Sequence, residues 1–220
     1  MAKATRSRRI PIALVTLVSS ILGVAVVTGQ EAPVAELVDS RDYAALRARG
    51  AEVMDELAAL YRHRSDPQGR KHVAWAFYQL GWKSSAAVEA LLPDVEDEGV
   101  PESLRISAQY ALGRVGDDPL VVRTLLANMK WGGTRLLRDK AACALAYDQI
   151  HLTEAQKVYL FRGLIGSLDD EKPDVRWIAI KALKIHTGQT KGYNPRAPRE
   201  RRLAAIEVWM KWLEEYSEEL

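Results

Sequence analysis

Four segments of the chain repeat one pattern of small and large apolar residues, and no other feature constrains the fold as tightly. The segments begin at Val73, Arg105, Arg138 and Arg176, offset by 32, 33 and 38 residues. Three positions into each stands an alanine: Ala76, Ala108, Ala141 and Ala179. Seven positions in stands a leucine: Leu80, Leu112, Leu145 and Leu183. In a helix these positions share one face. Small residues there let neighbouring helices approach closely, and the leucines fill the space between layers. Each segment has an amphipathic partner upstream, predicted at 51–62, 83–92, 119–129 and 153–167. The unit is a helix–turn–helix with a period in the thirties. One such pair cannot bury its own apolar face, so consecutive pairs must stack. No alternating stretch is long enough to form a competing strand. The expected fold class is all-α: an α-solenoid of about four helix pairs with capping helices at both ends.

The joints carry their own signals. Asp66, Glu98 and Asp169 stand seven residues before three of the segments, and Trp131 stands before the fourth. An acid there is expected to end the preceding helix or cap the next. Pro67, Pro101, Pro119 and Pro173 punctuate the same joints, in positions that suit turns and first helical residues. Trp131-Gly132-Gly133-Thr134 reads as an inter-helix turn. Pro33 to Arg49 is predicted to form one or two short capping helices, with Ser40 as an N-cap. Residues 187–198 form the longest irregular stretch of the body, and a final helix is expected over 199–216. Leu203, Ile206, Trp209, Met210 and Leu213 lie on one side of it. Arg199, Arg201 and Arg202 at its start, and Glu214, Glu215, Glu218 and Glu219 at its end, all oppose the helix dipole. Neighbouring charges or a partner must compensate them.

The resulting division is 1–29, 30–50 (N-terminal capping helices), 51–187 (the helix pairs) and 188–220 (loop and C-terminal capping helix). Residues 1–29 have the layout of an export signal: a basic start with Lys3, Arg6, Arg8 and Arg9, then an apolar run over 10–27. Val27 and Gly29 fit cleavage positions, while the run is also about long enough to span a bilayer. A cleaved signal peptide and a retained membrane anchor both satisfy this spacing. In either case the body is expected outside the cytoplasm, periplasmic or anchored to the inner membrane.

At the fourth joint, Leu168-Asp169-Asp170-Glu171-Lys172-Pro173-Asp174-Val175-Arg176, followed by Ala179 and Ala182-Leu183, resembles the turn and second helix of a HEAT repeat. Arg105-x-x-Ala108-x-x-Ala111-Leu112-Gly113 matches the same pattern. The third repeat lacks the acidic turn, and the first has Val73 where the family usually has arginine. The resemblance covers about 51–185. The stretch from Thr187 to Pro198, with Trp209-x-x-Trp212, is similar to a C-terminal segment of exported bacterial HEAT-repeat proteins. What the resemblance implies is a scaffold whose second helices line a concave face that holds protein partners. Some HEAT-like proteins are lyases that attach bilin chromophores, which supplies an enzymatic alternative. A structural membrane-tethered domain without a specific ligand is the other.

The residues themselves offer no catalytic constellation. His63, His72, His151 and His186 are scattered and form no zinc spacing. No Gly-x-Ser-x-Gly elbow, Walker-type loop or dinucleotide fingerprint occurs. Asp117-Asp118 and Asp169-Asp170 are explained by capping. His63 and His72 flank a turn with Arg62, Arg64, Arg70 and Lys71, a basic patch open to an anionic group or simply to solvent. The single cysteine, Cys143, lies in an alanine-rich helix and reads as a small buried thiol. Without residues 1–29 the chain has 27 basic and 29 acidic side chains, so nothing in its charge points to nucleic acid. No enzyme activity, cofactor, metal or small-molecule substrate is expected. The expected partner is a protein of the cell envelope, with the membrane itself contacted through 10–27 if that segment is retained. Trp75, Trp177 and Trp209 are expected in the core; Trp82, Trp131, Tyr193, Arg199 and Trp212 are the proposed interaction residues.

Overall fold

The computed structural model describes residues 32–220, and the expected signal or anchor segment lies outside them. Among the described residues the chain is all-helical. Two short helices, α1 (Val34–Asp39) and α2 (Tyr43–Ala48), precede four pairs. The pairs are α3 (Val53–His63) with α4 (Pro67–Leu80), and α5 (Ser85–Glu96) with α6 (Glu102–Val115). They continue with α7 (Pro119–Trp131) and α8 (Arg135–Tyr147), then α9 (Glu154–Gly166) and α10 (Pro173–Thr187). The last helix is α11 (Arg199–Glu218). No described helix is long and apolar enough to cross a membrane.

Local chemistry sets the boundaries. Pro67, Pro119 and Pro173 occupy first-turn positions, where a missing N–H costs nothing. Asp66 caps α4, its Oδ1 accepting from the Gly69 N–H, and Asp118 caps α7 through the Leu120 N–H. Thr153 and Gln156 form a reciprocal capping box at α9. Gly81 closes α4 and Gly188 closes α10, both with left-handed backbones at φ of 65° and 72°. Two capping expectations are corrected. Ser40 ends α1 rather than starting a helix, and Asp42 caps α2 by accepting from the Ala45 N–H. Asp169 caps nothing: it lies in a 3₁₀ turn, Ser167–Asp169, that extends α9 toward α10.

Consecutive second helices touch: α4 with α6, α6 with α8, and α8 with α10. The first helices form a parallel series of contacts, α3 with α5, α5 with α7, and α7 with α9. At one end α1 and α2 pack on α4; at the other α11 packs on α9 and the 3₁₀ turn. All eight repeated alanines and leucines are buried, from Ala76 and Leu80 through Ala179 and Leu183. They belong to one continuous core.

Polar seams hold the pairs in register. Arg105, Arg138 and Arg176 occupy the same repeat position and reach back to the end of the preceding helix or the turn that follows it. Arg105 donates to the Val95 carbonyl, Arg138 to Gly132 O at 2.8 Å, and Arg176 to Asp170 O and Glu171 O. Each also reaches onward. Arg105 binds Asn128 Oδ1 on α7 at 3.0 Å, Arg138 binds Asp174 on α10 at 2.6 Å, and Arg176 donates to Pro195 O. The first repeat has Val73 there, and Arg70 one turn earlier takes the part, meeting Asp94 of α5 at 2.6 Å. Tyr61 donates to the other oxygen of Asp94 at 2.6 Å. A second seam pins the opposite turns to side chains. His151 Nε2 bonds Gly81 O, Gln156 bonds Asp117 O, and His186 Nε2 bonds Leu145 O.

The Gly132-Gly133 turn makes a sharp test of this packing. A Cβ on Gly132 would lie 2.6 Å from Asn128 O, a backbone atom that cannot swing aside, whereas nothing lies within 4 Å of one on Gly133. Gly132→Ala is expected to cost about 1–3 kcal/mol by overpacking, read as a lowered denaturant midpoint, while Gly133→Ala leaves the midpoint unchanged.

Candidate interaction surface

A helix advances 100° per residue, so the side opposite the Ala/Leu stripe holds what a second helix shows to its surroundings. On α4 those residues include Trp75 and Tyr78; on α6, Ile106 and Tyr110; on α8, Leu136, Cys143 and Tyr147; on α10, Trp177, Ile178 and Lys181. Trp75 is 44% exposed, Tyr147 56% and Trp177 52%. Two expected core tryptophans are thus corrected: Trp75 and Trp177 lie on the surface, and of the three only Trp209 is buried. The signal was in the sequence. Trp75 and Trp177 stand one and two residues before the buried Ala76 and Ala179, and five and six before the buried Leu80 and Leu183, on the far side of the helix.

The aromatics on this side touch one another. Trp75 stacks on Tyr78 with centroids 5.0 Å apart, and Tyr78 meets the edge of Tyr110 at 6.2 Å. The Arg114 guanidinium covers the Tyr78 ring at 5.3 Å. Tyr110 reaches Cys143 on α8; burial and then the neighbouring thiol push its hydroxyl above the ordinary tyrosine range. Cys143 is half-buried, more accessible than the sequence suggested.

Beneath this row lies Asp148, buried, 3.8 Å from Arg114 and hydrogen-bonded by Tyr78. Burial raises its carboxyl to about 6, against the ordinary value of 3.8, and Arg114 only partly offsets that. Elsewhere paired carboxylates go the other way: Asp39 beside Arg64 and Asp169 beside Arg199 are held below the usual range.

The five proposed interaction residues are not brought together. Trp131 is 69% exposed at the end of α7, with the Lys130 ammonium over its ring. Trp82 packs partly buried against the core. Trp212 is half-buried among Phe161, Trp209 and Tyr216, with its ring stacked on Tyr216 at 5.3 Å. Tyr193 is buried, its hydroxyl donating to the Leu168 carbonyl, and so anchors the irregular loop rather than facing outward. Arg199 is exposed but paired with Asp169 at 2.9 Å, and Arg202 stands 3.6 Å from the same carboxylate. The acid supplied by the 3₁₀ turn thus answers the basic start of α11. The basic turn near His63 is also compensated: Arg64 pairs with Asp39 at 2.8 Å, and Arg70 with Asp94.

Among the described residues, no three His, Cys, Asp or Glu side chains converge on a point where a metal ion would sit. No protein-family model matches the sequence, and no curated protein matches it significantly.

Two outcomes follow from this geometry. Trp209→Ala is expected to cost about 3–5 kcal/mol, whereas Trp75→Ala and Trp177→Ala should each change stability by about 1 kcal/mol or less, by chemical denaturation. Because the folded protein takes up the Asp148 proton at higher pH than the unfolded chain, this group adds stability as pH falls from about 6 toward 3.8 and is a net cost above 6. Asp148→Asn should therefore melt higher than the parent at pH 7 to 8, with the gap closing by about pH 4.

Proposed function

We propose that residues 32–220 form a HEAT-type α-solenoid that acts as a non-catalytic protein-binding scaffold, holding its partner against the outward side of the second helices. The observation that carries this reading is the concentration of exposed large apolar side chains there. Trp75, Leu136, Tyr147 and Trp177 remain open on three of the four second helices, where burying them costs a partner little and gains it much. The first helices turn out mainly charged residues instead, among them Asp55, Glu56, Arg62, Glu89, Glu96, Arg123 and Arg162, with Tyr159 and the terminal Trp131 as exceptions. The contacts between each helix and the one two along, in both series, support the solenoid reading. The layout of residues 1–29 supports export or tethering to the cytoplasmic membrane, which makes the partner a protein of the cell envelope.

Site-specific photocrosslinking of the full chain in cells tests the reading. Crosslinkers at positions 75, 147 and 177 are expected to capture one recurrent envelope protein, and crosslinkers at positions 89 and 123 are not. Capture of the same abundant membrane proteins from both sets would favour a tethered structural domain without a specific ligand.

A further inference from the structure

The outward side of the second helices is not uniform, and one part of it is shaped. Between α8 and α10 an open cavity of about 570 Å³ is lined by Arg135, Asp174, Trp177, Pro195 and Arg196 among others. Through Arg135, Asp174 and Trp177 it continues into a smaller one of about 90 Å³. That in turn runs, past Asp139, Ile178 and Lys181, into a shallow trough ending at Tyr147 and Ile185. The three form one groove along the length of α8. With 13 residues in that helix, at about 1.5 Å each the groove is about 20 Å long. That is the length of about six residues of extended chain.

The groove's unpaired charge is positive. Its two acids are already satisfied: Asp174 accepts from Arg138 at 2.6 and 3.1 Å, and Asp139 pairs with Lys140 at 3.2 Å. Its cations are not. The side chains of Arg135, Lys181 and Arg196 form no ion pair or hydrogen bond with any described residue. The far wall is held in place beforehand, because Arg176 bonds Pro195 O at 3.2 Å and Asn194 Oδ1 accepts from the Arg196 N–H at 3.0 Å. A fixed wall lowers the ordering cost of binding.

We infer that the groove between α8 and α10 holds an extended acidic segment of the partner protein, with carboxylates on Arg135 and Arg196 at one end and Lys181 midway, and an apolar side chain against Trp177. Guanidinium forks match carboxylates through paired N–H donors, and the open indole supplies the apolar contact between them. This inference rests on the scaffold reading and narrows it to one segment of that surface.

The test is selection of a random twelve-residue peptide library on the full chain in detergent micelles, followed by polarisation measurements with the enriched peptides. Enriched sequences are expected to carry two or more Asp or Glu residues beside an apolar one. Their affinity should fall about tenfold or more in the double variant Arg135→Glu/Arg196→Glu and in Trp177→Ala, while Glu89→Ala binds as the parent does. All three variants alter exposed side chains, and unchanged thermal melts establish that they are folded. Peptides that lack acids, or that bind equally to the groove variants, would overturn the inference. Loss of their binding in Trp75→Ala would then leave the scaffold reading standing with its docking site moved to α4. Self-association of the full chain that the Arg135→Glu/Arg196→Glu change abolishes, with no peptide enriched, would also overturn it, naming the acidic end of α11 in a second copy as the occupant.

Discussion

A guanidinium buried between helices must place its N–H donors, and in this protein the available acceptors belong to two different repeats. Arg105, Arg138 and Arg176 each bond a carbonyl at the end of the preceding helix or in the turn after it, and a group in the element ahead. Hydrophobic burial alone would let one helix pair slide over the next, because apolar contact is not directional. The arginines remove that freedom. A slip of one turn would carry the onward acceptor away from a charged donor, and an unsatisfied buried donor costs far more than a lost apolar contact. The outward face inherits its arrangement from these seams, since they set which second-helix residues become neighbours.

The seams work only because the helices come close. Ala108, Ala141 and Ala179 are fully buried where second helices meet. Gly113 is tighter still: a Cβ there would stand 3.3 Å from Ala144 O and 3.0 Å from the Gln149 amide. Small residues bring the backbones together, and the longer leucines seven positions into each segment fill the gaps left around them. The capping elements use the same chemistry with other residues. Tyr193 ties the loop to the Leu168 carbonyl, and Trp209 donates to Thr190 O at 3.2 Å. The longest irregular stretch of the chain therefore has a defined course and can wall the groove beside α10.

Much of this was legible in the residues. The Ala/Leu spacing placed the four second helices, prolines marked the starts of α4, α6, α7 and α10, and the upstream amphipathic stretches placed the partners of the second helices to within a few residues. The short 3₁₀ turn after α9 is not legible in this way: an acid at that place suggests a helix stop or a cap, whereas the Asp169 carboxylate serves Arg199 and Arg202 thirty or so residues on. The tryptophans were divided wrongly for a simpler reason. Trp75 and Trp177 have apolar neighbours on their helices and so read as members of an apolar face, whereas their helical phase sets them opposite the buried Ala/Leu stripe. Tyr193, conversely, lies in a segment without periodicity, where no phase could have told its buried ring from an exposed one.

What the sequence determined by itself was every property set within about two helical turns of its cause: the helices, their ends and their buried faces. Caps and stripes act between residues three to seven apart, so the order of residues suffices to read them. What only the tertiary structure decided was which polar groups would be paired and which left open. Arg138 meets Asp174 from 36 residues away and His151 meets Gly81 from 70, distances at which sequence carries no geometric information. The difference between the occupied Arg138 and the open Arg135, three residues earlier on the same helix, is the difference between a paired strut and an unpaired cation. Packing alone creates it, by carrying Asp174 to one of them and not the other.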